Sequence, residues 1–208
     1  MITDYNYSIN NEDIELELLI MRNMREHMRE RTNIYEVNLD NFKELLNYLQ
    51  NNKYEILPST EVLDISIKTK PYRLSITNKK EIMLYCKSDR YVKDNIIYVE
   101  KKRTINKPPL MLDDYNIKCN MKLEKVITDK ELKEKVDKFM IKELKYYRYK
   151  KRYSFLSKFW KIDLTIVKEC SKHTKYLYES DLLSKVPHYE IEIEFKTVEA
   201  LAVAQVFP

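Results

Sequence analysis

Glycine is absent from this sequence of 208 residues. Phosphate sites that depend on glycine-rich loops, such as the P-loop and the dinucleotide-binding fingerprint, are therefore excluded. Any phosphate group that the protein binds must be held by its side chains.

Cysteine is scarce, with three residues at widely separated positions, Cys86, Cys119 and Cys170. An odd number without regular spacing argues against a disulfide framework, and we expect a reducing, intracellular compartment. Long apolar runs are also absent, since no stretch approaches the ~18–20 residues that a membrane-spanning helix needs. We therefore expect no membrane partner.

The composition that remains is typical of one domain with a substantial core and many charges. Hydrophobic residues make up 44% of the chain and charged residues 34%, with a net charge of +5. This mild excess is compatible with an anionic partner but does not establish nucleic-acid binding. We place the domain at residues 1–196. Every alanine lies within residues 200–208, so we interpret residues 197–208 as a tail of cloning or frame-shift origin.

Apolar and polar residues alternate with a period of two along most of the chain, which predicts β-strands. The predicted strands span residues 12–20, 60–68, 72–77, 96–105, 116–124, 144–155, 159–168 and 188–196, with a short one near 173–180. Helices are predicted at residues 40–51, 79–88 and 129–142, the first capped by Asp40 and the last by Thr128 or Asp129. Residues 21–31 continue as helix or form a charged connector. This pattern predicts a mainly β domain with a few helices (α+β), closed as an antiparallel barrel whose interior can hold a ligand.

The polar face of several strands carries charged side chains in nearly pure sets. Residues two apart share a face because successive side chains point to opposite sides of a strand. The sets are Glu15 with Glu17; Glu190, Glu192 and Glu194; Arg148, Lys150 and Arg152 with Ser154; Lys161, Asp163 and Thr165; and Lys118, Asn120, Lys122 and Glu124.

The acidic and basic sets each need a counter-charge. Carboxylates two residues apart on a strand lie only ~6.5–7 Å from each other, and they repel unless a cation neutralises them. A divalent cation with oxygen ligands would do so, which predicts that strands 12–20 and 188–196 pair or face each other around a metal. Rows of lysine and arginine attract an anion, and both sets together describe a polyphosphate site. The alternative is an ordinary barrel with a solvated charged surface, and the residue pattern alone leaves both open.

Three motifs carry a resemblance to a known family: IELELLI near the start, YRYKKRYSF followed by WKIDLT, and YEIEIEF near the end. In order and spacing the chain resembles the fungal and large-DNA-virus RNA triphosphatases of mRNA-capping enzymes, a branch of the triphosphate tunnel metalloenzymes. A sister branch has lysine two positions after its Glu-x-Glu, where this chain has Leu19. The resemblance implies a closed eight-stranded antiparallel β-barrel that forms a triphosphate tunnel with the charged face inside.

The resemblance also implies roles for individual residues. The implied metal-binding glutamates, with Mg²⁺ or Mn²⁺ as the cofactor, are Glu15, Glu17, Glu192 and Glu194, with Glu190 completing the acidic row. The implied phosphate-contacting residues are Arg73, Lys101, Arg103, Arg148, Lys150 and Arg152. Glu124 would orient or activate the attacking water, while Asp163 and Asp64 would hold basic side chains in place. For residues 100–103 the resemblance and the alternation pattern disagree. The family's Lys-x-Arg pattern points to Lys101 and Arg103, whereas simple alternation places Lys102 on the same face as Glu100.

The implied activity is removal of the γ-phosphate from 5′-triphosphate RNA, the first step of mRNA capping. Two alternatives remain open: a nucleoside or inorganic triphosphatase with the same tunnel, and a non-catalytic module that binds RNA 5′ ends. The expected partners are 5′-triphosphate RNA, nucleoside triphosphates and further capping-enzyme domains. The AT-rich codon usage suggested by the Lys, Asn, Ile and Tyr content resembles that of a giant virus. We therefore expect the host cytoplasm, a viral factory or the virion as the location.

Overall fold

The computed structural model describes residues 14–20, 37–102, 110–112, 117–158 and 160–195. The predicted helix or connector at 21–31 and the tail at 197–208 lie outside these residues, as does Arg103. No helix in the described ranges is long and apolar enough to cross a membrane.

The described chain is mostly strand. The strands are β1 (Ile14–Ile20), β2 (Glu55–Ile56), β3 (Thr60–Ile67), β4 (Tyr72–Ile76), β5 (Ile96–Lys102), β6 (Leu110–Leu112), β7 (Ile117–Val126), β8 (Lys145–Leu156), β9 (Trp160–Glu169) and β10 (His188–Phe195). The helices are α1 (Leu39–Asn51), α2 (Lys79–Ser88) and α3 (Lys130–Lys142), and short 3-10 turns occupy Lys93–Asn95, Leu177–Glu179 and Leu182–Ser184. The prediction of a mainly β domain with a few helices is confirmed.

Two local predictions were wrong. Asp40 lies in the first turn of α1 rather than at its cap, because the Asn38 side chain accepts the Asn41 amide at 2.8 Å. The predicted strand at 173–180 is instead a single bridge between Lys145 and Thr174, followed by the turn Leu177–Glu179. The alternation there is too short to support a ladder. For α3, Asp129 is the cap, accepting the Leu132 amide at 2.7 Å.

The strands form one curled antiparallel sheet in the order β1-β10-β9-β8-β3-β4-β5-β7-β6, with β2 paired to β8. The predicted pairing of the first and last acidic strands is confirmed, since Glu17 lies opposite Glu194. Strand β1 also pairs with β7, from Ile14 opposite Leu123 to Ile20 opposite Ile117. The two short strands β2 and β6 were not predicted, because neither is long enough to show a period.

The helices cover the apolar face of the sheet. Helices α2 and α3 contribute Tyr85 and Val136 to a core with β3, β4, β5 and β8, in which Ile65 and Tyr147 are fully buried. Helix α1 forms a second core, in which Phe42 packs with side chains of β8, β9 and β10. Each such apolar side chain contributes about 1.5–3 kcal/mol when it leaves water. The opposite face carries the charged side chains, and it lies inside the curl, since several of its carboxylates are buried.

Candidate active site

The charged face follows from alternation along the central strands. On β8, Tyr147 and Phe155 enter the two cores, so Arg148, Lys150 and Arg152 project from the other side. Strand β8 lies between β3 and β9, and its register aligns these cations with positions on both neighbours. The cations therefore meet carboxylates that are distant in sequence.

A first group of charges, the basic cluster, joins β3, β4, β5, β7 and β8; its members are Arg73, Lys101, Lys150, Asp64 and Glu124. Asp64 is buried and accepts a hydrogen bond from the Ser75 hydroxyl at 2.6 Å. Its carboxylate also lies 2.5 Å from Lys150 Nζ and 3.6 Å from Arg73 Nε. One carboxylate thus serves two half-buried cations.

Arg73 has a second partner across the sheet. Its Nη1 and Nη2 donate to Glu124 Oε1 and Oε2 at 3.0 and 2.6 Å, which makes a two-pronged ion pair between β4 and β7. Lys101 lies opposite Glu124 in the β5–β7 register, and its ammonium donates to Ser66 Oγ at 3.2 Å. The structure therefore sets Lys101 on the charged face, as the family pattern suggested.

A second group, the acidic cluster, joins β8, β9 and β10; its members are Arg152, Lys161, Asp163, Glu192 and Glu194. Asp163 is completely buried and bridges two cations, with Oδ2 3.1 Å from Arg152 Nη1 and 2.8 Å from Lys161 Nζ. Each cation also contacts a glutamate of β10: Arg152 reaches Glu192 at 3.0 Å, and Lys161 reaches Glu194 at 3.0 Å.

A third group, the rim cluster, comprises Arg148, Glu169, His188 and Glu190. Arg148 pairs with Glu190 through Nη2, and its Nε lies 3.7 Å from Glu169. His188 Nε2 is 3.2 Å from Glu190 Oε1, the oxygen that Arg148 also contacts. Burial raises the pKa of Glu190, but His188 and Arg148 outweigh that effect and hold the pKa below its usual value. Glu190 is therefore kept ionised.

The lysines of the basic cluster are poorly compensated. Burial, together with the charges of Arg148 and Arg73, lowers the pKa of Lys150 below its usual value despite the opposing effect of Asp64. Burial and the charge of Arg73 likewise lower the pKa of Lys101. Burial raises the pKa of Asp64, but Lys150 and Arg73 reverse this and lower it. This cluster accommodates further negative charge.

The cations of the acidic cluster show the opposite shift. Burial lowers the pKa of Arg152, but Asp163 and Glu192 outweigh it and raise the pKa above its usual value. The pKa of Lys161 is also raised, because its contacts with Asp163 and Glu194 exceed the effect of burial. Carboxylates dominate here, and the cluster accommodates further positive charge.

The register of strand β1 places the backbone of two more glutamates beside β10 and β7. Glu17 lies opposite Glu194 on β10 and opposite Asn120 on β7, and Glu15 lies opposite Lys122. Among the described side chains, no group of three or more His, Cys, Asp or Glu is close enough to hold a metal by itself.

No protein-family model and no curated protein matches the chain. Solved structures do. The RNA triphosphatase domain of a trifunctional mimivirus mRNA capping enzyme is 24% identical, with a TM-score of 0.64 over 94% of this chain and 85% of that one. A monoclinic structure of mimivirus capping enzyme triphosphatase is 22% identical, with a TM-score of 0.63 over 95% of this chain and 88% of that one. S. pombe Pct1 RNA triphosphatase is 14% identical, with a TM-score of 0.51 over 93% of this chain and 77% of that one.

This chain has the fold of the capping-enzyme RNA triphosphatases. The fold agrees with the family that the sequence motifs resemble. Each expected site residue with a described side chain lies on the charged face, and contacts join these residues into the three clusters: Asp64, Arg73, Lys101, Glu124, Arg148, Lys150, Arg152, Asp163, Glu190, Glu192 and Glu194. Arg103 and the side chains of Glu15 and Glu17 lie outside this description.

Two side chains of the charged face had been given no role. Lys161 bridges Asp163 and Glu194, and its alternation with Asp163 along β9 is the signal that points to it. The Thr165 hydroxyl is completely buried and has no hydrogen-bond partner in the described part of the chain. Buried hydroxyls without partners are uncommon in folded proteins. Threonine is too frequent in strands for sequence to single it out.

Proposed function

We propose that this chain removes the γ-phosphate of 5′-triphosphate RNA and leaves a 5′-diphosphate end, the first step of mRNA capping. The observation that carries the proposal is the buried charged face, on which a surplus of cations and a surplus of carboxylates adjoin. Lys150 and Arg152 are neighbours on the same side of β8, yet they belong to the basic and the acidic cluster. A triphosphate with a divalent cation supplies the counter-charge that each cluster lacks.

The same proposal includes closure of the sheet into an eight-stranded tunnel. Two pairings support it, because β1 bonds to β10 on one side and to β7 on the other, which brings the two ends of the sheet together. Burial of Asp163 and Thr165 is also expected of a closed interior. In a barrel of about eight strands the interior is just wide enough for side chains and one small ligand.

The residues fit a hard divalent cation such as Mg²⁺ or Mn²⁺. Carboxylate oxygens are the ligands that such ions prefer, and Glu192 and Glu194 supply them from β10. Residues directly opposite in an antiparallel pair project to the same side of a sheet, so the register of Glu17 with Glu194 supports a shared ligand set that Glu15 extends. The bound ion would polarise phosphoryl oxygens and neutralise the carboxylates.

The basic cluster would hold and orient the phosphates. Lys101, Lys150 and Arg73 can donate to phosphoryl oxygens as negative charge shifts in the transition state. Each oxygen of Glu124 keeps a lone pair beyond its bond to Arg73, so it can accept a hydrogen bond from a water. That water attacks the γ-phosphorus in line, the bond to the bridging oxygen breaks, and the water proton passes to Glu124.

Release of labelled γ-phosphate from 5′-triphosphate RNA, measured with Mg²⁺, with Mn²⁺ and with a chelator, tests this function. We expect release with a metal and none with the chelator. Parallel assays with ATP and with inorganic triphosphate distinguish an RNA triphosphatase from a general triphosphatase of the same fold. Binding of the RNA without release under any metal condition would contradict catalysis and favour a module that only binds RNA 5′ ends.

A further inference from the structure

Residues 170–186, between β9 and β10, expose an unusual amount of apolar surface. Tyr178 and Val186 are 74% and 85% exposed, and Leu183 and Tyr176 are also exposed. Clusters of exposed apolar side chains on a soluble domain mark sites of interaction. We call these residues the tyrosine segment.

The tyrosine segment is held firmly in this exposed arrangement. Asp181 accepts hydrogen bonds from the Ser171 amide at 2.9 Å and hydroxyl at 2.5 Å, and it pairs with Lys185 at 3.0 Å. Glu179 accepts the Tyr176 amide at 3.2 Å. The exposure is therefore built into the fold, and two of the segment's acidic groups are occupied by its own polar groups.

The segment presents a stacked aromatic pair beside lysines. The rings of Tyr176 and Tyr178 lie 5.4 Å apart and nearly parallel, at 8°. The ammonium groups of Lys145 and Lys175 each lie 5.7 Å from the Tyr176 ring centre. Because Tyr178 stays mostly exposed after stacking, a ring face is open to a further planar group. Aromatic rings with neighbouring cations are the combination that binds single-stranded nucleic acid without sequence preference.

A cavity lies between the two ends of this segment and the rim cluster. It has a volume of about 260 Å³, and its walls include Lys185 and Val186 of the segment and Glu169 and His188 of the rim cluster. Glu169 and His188 contact Arg148 and Glu190, which project from the charged face. The ends of the tyrosine segment thus adjoin the rim cluster, at one end of the proposed triphosphate site.

We propose that the tyrosine segment binds the RNA chain that follows the 5′-triphosphate. A base would stack on Tyr178, and Lys175 and Lys185 would lie near the backbone phosphates. This inference rests on the proposed function and deepens it, since it assigns to residues 170–186 a surface for the RNA chain beyond the triphosphate. A nucleoside triphosphate has no downstream chain to occupy this surface.

The test compares the wild-type chain with Tyr178→Ala on two substrates. We expect kcat/KM for triphosphate RNA of about 12 nucleotides, divided by kcat/KM for ATP, to fall about tenfold in the variant, as expected for one lost base stack. The dissociation constant for the same RNA with a 5′-hydroxyl end, measured by fluorescence anisotropy with a chelator present, should rise by a similar factor. Tyr48→Ala is the control. It removes an exposed tyrosine from α1, the helix that covers the second core, and it should change neither the ratio nor the dissociation constant.

The outcomes separate this inference from the function on which it rests. An unchanged RNA-to-ATP ratio together with unchanged RNA affinity would overturn the inference and favour a protein partner for the segment, while phosphate release would still support the function. Weaker RNA binding by Tyr178→Ala in a chain that releases no phosphate would overturn the function and support the RNA surface. An equal loss with ATP and RNA would also overturn the inference, because the effect would then lie within the triphosphate site.

Discussion

The basic and the acidic cluster lie on the same face of one sheet, yet they are unbalanced in opposite directions. The basic cluster sets three cations against two carboxylates, and the pKa values of Lys101 and Lys150 are lowered. The acidic cluster sets three carboxylates against two cations, and the pKa values of Arg152 and Lys161 are raised. Burial lowers the pKa of all four of these cations, so the difference comes from their partners.

This contrast shows how one charged interior can serve two ligands of opposite sign. A buried cation that shares its carboxylate with another cation gains from an added anion, whereas a buried carboxylate in surplus gains from an added metal ion. The clusters are joined through neighbouring positions on β8, where Lys150 precedes Arg152 by two residues. A metal-bound triphosphate supplies the anion that the basic cluster lacks and the cation that the acidic cluster lacks. The contrast can therefore be tested by changing residues in either cluster.

Glu194→Gln should reduce phosphate release the most, because it removes one negative charge from the acidic cluster while keeping the shape of the side chain. If Glu194 binds a catalytic metal, loss of that ion's charge stabilisation should reduce phosphate release by about a thousandfold, or about 4 kcal/mol. Steady-state phosphate release measures it. Glu61→Gln, at a carboxylate 3.9 Å from Lys79 and outside both clusters, should keep wild-type activity, and near-normal activity of Glu194→Gln would contradict the metal assignment.

Asp64→Asn tests the basic cluster through stability. It leaves Arg73 and Lys150 half-buried without their shared carboxylate, and loss of one partner from a buried ion pair destabilises by about 3–5 kcal/mol. Urea unfolding near neutral pH would measure the difference. Because the folded pKa of Asp64 is lowered, the wild-type advantage is complete above the unfolded pKa of about 3.9 and is lost as the pH falls through the folded value. A constant advantage at lower pH would argue against the ion pairs as its source.

Lys161→Met should strengthen metal binding, since Lys161 Nζ lies 3.0 Å from Glu194 and competes with a metal for that carboxylate. We expect about a tenfold lower dissociation constant for Mn²⁺, or about 1.4 kcal/mol, by titration calorimetry without substrate. The matched change Lys150→Met, in the basic cluster, should not tighten Mn²⁺ binding. Equal effects of the two variants would show that only net charge matters and would remove the distinction between the clusters.

Lys150→Arg should have the smallest effect, a change in KM for the triphosphate that is visible mainly at alkaline pH. Lys150 faces Asp64, Arg73 and Arg148, and its pKa is lowered by burial and by the two arginines despite the carboxylate. Its positive charge is therefore lost at a lower pH than the usual lysine value of about 10.4, and KM for the triphosphate should rise as that charge disappears. Arginine stays protonated, so the variant should delay this rise to higher pH. Superimposable pH profiles of KM would argue against phosphate binding by Lys150.

Much of the fold was readable from local pattern. The period-two alternation at residues 144–155, 159–168 and 188–196 predicted β8, β9 and β10 to within a residue or so, because each pattern spans enough residues to be distinguished from a helix. It failed near residues 173–180, where backbone bonds and the Glu179 side chain form a turn. The α1 cap was misplaced because Asn38 and Asp40 are both good capping residues, and only backbone geometry chooses between them.

Sequence alone determined which side chains share a face, since alternation along an extended strand is a property of neighbouring residues. It therefore placed Lys161 with Asp163 and Glu192 with Glu194 before any strand was paired with another. Only the tertiary structure decided that the charged face lies inside, because that depends on which face the helices cover. It also decided that Arg73 meets Glu124, a partner 51 residues away, since such a contact is set by the register of strands that are distant along the chain.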